Sequence, residues 1–146
     1  MMQLVIDLNT IAMIVMAIET ILVIGLMVGW LYGARRMDFK THHRAVYPIV
    51  LIHSITVGFW MIPIAIARLP IMLANPMAFW YQIVHDMIGF AGIALGIILA
   101  LLYAFKRDMP LKLLKKTRPI MFLTIGVWSA AFILGLYWFL LGYVLI

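Results

Sequence analysis

Four long apolar stretches separated by short connections organise the chain. They run approximately over residues 8–33, 45–69, 79–105 and 119–146, and few polar residues interrupt them. Each is close to or above the ~20 residues that a helix needs to cross a bilayer. The pattern therefore predicts an all-α fold, in which residues 1–146 form a single integral membrane bundle of four transmembrane helices.

Composition also indicates an integral membrane protein, and it excludes several kinds of functional site. Hydrophobic residues make up 67% of the chain and charged residues 11%, against about 25% charged in soluble domains; the mean hydropathy is +1.16. The absence of cysteine excludes disulfides, thiolate metal sites, iron–sulfur ligation and covalently attached c-type haem. Because the sequence carries no P-loop, dinucleotide fingerprint, HExxH or nucleophile elbow, we do not expect independent catalytic activity.

Positive charge is concentrated in two connections. Ten of the 11 Lys and Arg residues lie in residues 34–44 and 106–118, whereas residues 70–78 carry no charge. The positive-inside rule predicts that both basic connections are cytoplasmic and that both termini are on the outer side of the cell membrane. The position of these residues thus accounts for the net charge of +6, and we do not expect a nucleic-acid partner. Anionic lipid headgroups are the expected partners of the basic loops.

Small residues and prolines predict where helices pack and bend. Two small-xxx-small runs indicate close helix contacts: Gly25, Gly29 and Gly33 in the first stretch, and Gly92, Gly96 and Ala100 in the third. Pro63 is expected to kink the second helix and to free a backbone carbonyl. Pro119 suits the first turn of the last helix, and Pro70 is assigned to a connection.

Four acidic or histidine residues fall inside the apolar stretches: Glu19, His53, His85 and Asp86. Such residues are costly in a membrane and are functional candidates by default. At ~1.5 Å per residue, His53 lies about 12 Å from the inner end of its stretch and His85 about 9 Å from the outer end of its own. In a core about 30 Å thick these two are offset by about 9 Å. Glu19 lies about 9 to 16 Å from the outer surface, which predicts an outer layer shared with His85 and Asp86.

Three functional hypotheses follow, beside a purely structural role in which these side chains pair to hold helices in register. In one, His53 and His85 are the axial ligands of a haem b in the bundle, although their offset in depth is awkward for one iron. In another, Glu19, His85 and Asp86 form a proton relay or a metal site near the outer face. In the third, the chain is a small accessory subunit whose polar residues face other membrane subunits of a larger complex.

The adjacent His42 and His43 lie between Lys40 and Arg44. Such a pair is typical of a solvated basic loop before the second helix. A surface ligand or a lipid-headgroup contact is the alternative.

Several motifs resemble an uncharacterised family of small four-helix membrane proteins. They are His43-Arg44, Met61-Ile62-Pro63, His85 with Gly89, Gly92 and Gly96, and Arg118 followed by Trp128, Gly135 and Tyr137. The family typically has further histidines near the end of helix 2 and before helix 4, where this chain has Arg68-Leu69 and residues 115–118 without histidine. Because the family is often associated with terminal-oxidase genes, the resemblance implies a respiratory membrane. We therefore expect a small accessory subunit of an oxidoreductase complex, with a b-type cytochrome as the alternative.

Overall fold

The structure, a computed structural model, describes residues 8–104 and 111–141. They form α1 (Leu8–Arg35), α2 (Phe39–Thr56), a π-helical turn (Val57–Met61), α3 (Ile62–Ala74), α4 (Trp80–Ala104) and α5 (Leu111–Phe139). Four segments are long and apolar enough to cross a membrane, and α2, the π turn and α3 together make one of them, Phe39–Ala74. The predicted all-α bundle with four spanning helices is confirmed, and the chain is a multi-pass membrane protein.

The helices extend further into the first basic connection than the apolar pattern indicated. α1 ends at Arg35 and α2 begins at Phe39, because the side chain of Asp38 caps α2 by accepting a hydrogen bond of 3.1 Å from the backbone N–H of Thr41. Only residues 36–38 connect the two helices, and Met37 among them has a left-handed backbone with φ 54°.

Proline positions correct two further expectations. Pro119 lies inside α5 and Pro70 inside α3, not in a first turn and a connection. Near Pro63 the helix forms the π turn, in which the backbone N–H of Ile62 donates to the carbonyl of Val57. Residues 105–110 and 142–146, which belong to the predicted second basic connection and helix ends, lie outside the described residues.

The bundle is built from two antiparallel helix pairs. We call α1 with α2 the first hairpin and α4 with α5 the second, because each helix has its most extensive packing within its pair. The predicted glycine contacts are formed: Gly25 and Gly29 lie against Ile49 and Val46 of α2, and Gly96 lies against Trp128 of α5.

A small apolar core joins the two hairpins. Its buried members are Leu22, Leu26, Ile49, Val50, Ile93 and Trp128. Large apolar side chains also cover the outer faces of the helices, for example Ile21, Phe59, Met87 and Ile133. Such an outer surface matches lipid or the helices of a partner. The end of the bundle where α1 and α4 end and α2 and α5 begin carries the basic residues, and we call it the basic end.

Candidate functional site

Glu19 of α1 and His53 of α2 lie in contact in the bundle interior. Oε2 of Glu19 lies 2.7 Å from Nδ1 of His53, and the two side chains are only 7% and 8% exposed. The atoms are at hydrogen-bond distance, but their alignment does not meet hydrogen-bond geometry. Carboxylate and imidazole are thus held together where neither can readily exchange its partner for water.

The tight turn between α1 and α2 explains why these two residues meet. Measured from Arg35, Glu19 lies about 24 Å along α1, and measured from Phe39, His53 lies about 21 Å along α2, at 1.5 Å per residue. The two helices are antiparallel and joined by residues 36–38, so the side chains reach nearly the same level. The sequence placed His53 too close to the basic end because it began the second helix at residue 45.

The surroundings of the pair are mostly apolar and aromatic. The imidazole of His53 lies 4.2 Å from the ring of Trp128, centroid to centroid, with an interplanar angle of 32°. Oε1 of Glu19 is buried and has no hydrogen-bond partner among the described residues. One carboxylate oxygen therefore contacts His53, while the other is left with unused capacity for a hydrogen bond.

His85 makes a different contact, on α5. Its Nδ1 lies 2.7 Å from the carbonyl oxygen of Ala131; since a carbonyl only accepts, Nδ1 carries the proton and donates. The ring lies directly on Gly135, where an added Cβ would come within 2.7 Å of Cε1 of His85. Gly135 is thus required for the close approach of the imidazole to α5.

Asp86, next to His85 on α4, does not join the Glu19–His53 pair. Its Oδ2 is buried without a hydrogen-bond partner among the described residues. The ionisable side chains near enough to interact with it electrostatically include His85 and Arg68. Arg68 also lies over the ring of Trp138, 4.8 Å from its centroid. The half of the bundle away from the basic end therefore holds a second, separate polar layer.

His42 and His43 correct the expectation of a solvated basic loop. Both lie within α2 and are half-buried. Nδ1 of His42 donates to the carbonyl of Gly29 at 2.8 Å, and its ring lies on Gly33, which repeats the contact of His85 with α5. His43 stacks on Tyr47 with ring centroids 5.0 Å apart. The four-residue spacing of His43 and Tyr47 is the sequence signal that could have placed this stack on one helix face.

The structure thus groups the candidate residues differently from the sequence. Glu19 contacts His53, whereas His85 is bonded to α5 and Asp86 lies beside it. Within residues 8–104 and 111–141, no three His, Asp or Glu side chains are arranged so that they could hold a metal ion. Haem and metal binding stay predictions. The site residue that sequence reasoning most clearly missed is Trp128, whose ring lies against His53 at the centre of the bundle.

Comparison with known proteins adds no family to this geometry. No family model, no curated protein and no solved structure matches this chain. The resemblance to the small four-helix family therefore stays a prediction. Function has to be argued from the polar contacts inside the bundle.

Proposed function

We propose that the chain is a small proton-handling subunit of an oxidoreductase complex in a respiratory membrane, and that Glu19 and His53 form its proton-binding pair. The observation that carries the proton-binding role is the 2.7 Å contact between a carboxylate and an imidazole that are both more than nine-tenths buried. An intramembrane pair of this kind is costly to maintain. Imidazole and carboxylate are also side chains that proteins commonly use to transfer protons.

The chemistry available to the pair is the gain or loss of one proton. Nδ1 of His53 and Oε2 of Glu19 can share a proton between them, and the second carboxylate oxygen has no hydrogen-bond partner among the described residues. The contact with Trp128 holds the imidazole beside the carboxylate. A proton could therefore enter or leave at Oε1 of Glu19 or at Nε2 of His53 without breaking the contact between the two side chains.

The subunit role is supported by the surface and by the resemblance described above. The outer faces of all described spanning segments carry exposed apolar side chains, which suit packing against lipid and against the helices of other membrane subunits. The oxidoreductase setting itself rests on the sequence resemblance alone. We also propose that the basic end is cytoplasmic and attracts anionic headgroups, in agreement with the positive-inside rule.

The proton-binding role can be tested at a single atom, because Glu19 is the only glutamate of the sequence. In protein labelled with ¹³C-glutamate and reconstituted in nanodiscs, the side-chain carboxyl resonance belongs to Glu19. It should shift between protonated and ionised positions as the pH is varied. His53→Gln should alter this transition, whereas Asp86→Asn should leave it unchanged. A carboxyl resonance that keeps one position over the whole pH range in which the protein is folded would refute the role.

The subunit role needs a different measurement. Extraction from the native membrane in mild detergent, followed by a native gel and mass spectrometry, should find the chain in a stable complex. Glu19→Gln should then lower the proton-coupled activity of that complex without releasing the chain. Recovery of the chain only as a monomer or homo-oligomer would contradict the subunit proposal. Loss of assembly in Glu19→Gln would indicate that the pair only holds helices in register.

Orientation can be tested directly, because the sequence contains no cysteine. Single-cysteine variants at exposed positions report which side each connection faces. Met77→Cys should react with a membrane-impermeant maleimide in intact cells, and Lys40→Cys only after lysis. The opposite labelling pattern would reverse the proposed topology.

A haem b held by His53 and His85 is the second candidate, and one observation favours it. Both histidines use Nδ1 for a contact with the protein, which is how metal-ligating histidines are commonly held while Nε2 binds the metal. The two rings lie at different levels of the bundle, which fits a single haem iron less well. His53 lies beside Trp128, whereas His85 lies beside Ala131 and Gly135, about 5 to 10 Å further along α5. A reduced-minus-oxidised visible spectrum decides this candidate, because sharp α and β bands would establish haem and their absence in folded protein would exclude it.

A further inference from the structure

A groove of about 70 Å³ lies between the two hairpins at the basic end. On one side it is lined by residues of α1, of the turn and of α2, and on the other side by α5. The groove opens to the outside of the bundle, because two of its lining residues, Met37 and Phe122, are 56% and 44% exposed. Most of its lining is apolar or aromatic and includes Trp30, Met37, Phe39, Met121, Phe122 and Ile125.

Arg118 gives this apolar groove a positive charge. It is the only Lys, Arg, Asp or Glu among the described residues that line the groove. Its side chain is exposed, and none of the described carboxylates forms an ion pair with it. Asp38, in the turn beside the groove, already accepts a hydrogen bond from the backbone N–H of Thr41. The groove therefore has an unpaired cation at its edge and an apolar interior.

The groove continues from the basic end into the apolar part of the bundle. The guanidinium of Arg118 lies 5.8 Å from the ring centroid of Phe122, one turn further along α5. Phe122 in turn contacts Trp30 of α1, with ring centroids 6.2 Å apart. From Arg118 to Ile125 the helix rises about 10 Å. A molecule that fits this groove needs an anionic group at one end and an apolar chain below it.

Met37 is a second, independent sign of an occupant from outside the chain. Its backbone is left-handed, with φ 54°, a conformation that is unfavourable for any residue with a Cβ. Since more than half of its side chain is exposed, packing within the described part of the chain offsets little of this cost. Methionine is a flexible apolar side chain that adapts to irregular surfaces, so an acyl chain in the groove would give it a partner.

We infer that the groove binds one phospholipid with an anionic headgroup, its phosphate on Arg118 and one acyl chain against Met37, Trp30 and Phe122. Charge complementarity selects an anionic lipid. A zwitterionic lipid offers the same phosphate, but its ammonium group is repelled by the Lys and Arg residues of the basic end. The inference rests on the proposed attraction of the basic end for anionic headgroups and adds to it a defined site.

Photo-cross-linking in nanodiscs locates the lipid. The full chain is reconstituted in phosphatidylcholine with a small fraction of a probe that carries a diazirine in its acyl chain, either phosphatidylglycerol or phosphatidylcholine. Met121 and Phe122 report the groove. Leu123 is the control, because it is 57% exposed on the same helix and does not line the groove. The ratio of phosphatidylglycerol to phosphatidylcholine labelling should be about fivefold higher in the groove than at Leu123.

Two charge variants test the contact with the phosphate. Arg118→Gln should lower the labelling ratio in the groove to that at Leu123. Arg44→Gln removes the same charge from the same end of the bundle, but Arg44 is exposed on α2 and does not line the groove. It should leave the labelling ratio in the groove unchanged. Equal ratios in the two variants would overturn the inference.

A further pair of variants tests the apolar part of the groove. Met37→Gly suits the left-handed backbone and should therefore fold, yet it should lower the labelling of Phe122 by the phosphatidylglycerol probe. Met77→Gly, in the connection between α3 and α4, should leave that labelling unchanged. Equal labelling of Phe122 in both variants would contradict the contact of the acyl chain with Met37.

The two probes also separate the site from the general attraction. Labelling ratios that are above one and equal in the groove and at Leu123 would refute the site and leave the headgroup attraction standing. Ratios of one at both positions would refute the attraction together with the site.

Discussion

Separate and joint replacement of Glu19 and His53 should reveal how strongly the buried pair is coupled. Each side chain is less than a tenth exposed, and their nearest atoms are 2.7 Å apart. Glu19→Leu or His53→Leu alone leaves one ionisable group buried without its partner, which costs about 3–5 kcal/mol when the pair is charged. The double variant removes both groups, and we expect its free energy of unfolding to be near that of the wild type or higher by up to about 4 kcal/mol.

The size of the coupling distinguishes a charged pair from a neutral hydrogen bond. An ordinary hydrogen bond between membrane helices contributes about 0.6 kcal/mol, so a coupling of several kcal/mol requires the charged pair. The assay is reversible unfolding in detergent or bicelles for the wild type, both single variants and the double variant. As a control, Thr20→Val should be additive with His53→Leu, because Thr20 donates to the carbonyl of Met16 in its own helix. Single effects of Glu19→Leu and His53→Leu that add within about 0.5 kcal/mol would refute the pairing.

Three further predictions concern stability, measured as unfolding of the purified chain in detergent. Gly135→Ala should destabilise the chain by about 1–3 kcal/mol, because the new Cβ would come within 2.7 Å of the imidazole of His85. In Gly126→Ala, on the same helix, the new Cβ meets nothing within 4 Å, so stability should stay within about 0.5 kcal/mol of the wild type. Equal effects of the two variants would contradict the contact of His85 with Gly135. Met37→Gly should stabilise by about 1 kcal/mol, because glycine adopts the left-handed backbone found there without the steric cost; a loss of stability would contradict this reasoning. Hydrogen bonds from the side chain and backbone of Thr41 hold the pKa of Asp38 below its usual value. The contribution of Asp38 to stability is therefore present above pH about 4 and is lost as the pH falls through the lowered pKa. Asp38→Asn should lack this loss of stability in acid, and an unchanged loss would assign it to another carboxyl group.

The sequence predicts the class of fold well because the membrane imposes it. Apolar runs of spanning length have few alternatives to helices, and the ladder at Gly25 and Gly29 correctly indicates close helix contact. Helix ends in charged segments are harder to predict, since Lys and Arg are good helix formers and give no sign that the helix stops. The cap at Asp38 decides where α2 begins, and that start sets the level of His53.

The grouping of the polar residues was less accessible to sequence reasoning. Residues that are far apart in sequence meet only if their helices are neighbours and are in the right register. Glu19 and His53 depend on the three-residue turn between α1 and α2, and the contact of His85 depends on where a glycine falls on α5. Neither relation can be predicted from composition or from the depth of a residue along its own helix.

The repeated contact of a histidine with a glycine has a consequence for how the chain is made. His42 bonds α2 to α1, His85 bonds α4 to α5, and Glu19 and His53 also lie within the first hairpin. Between hairpins, the described contacts of these histidines are ring contacts such as that of His53 with Trp128. Each hairpin can thus form these contacts as soon as its second helix enters the bilayer during synthesis. The two halves can then meet in the membrane without breaking these contacts, so that insertion of the first hairpin need not wait for the second.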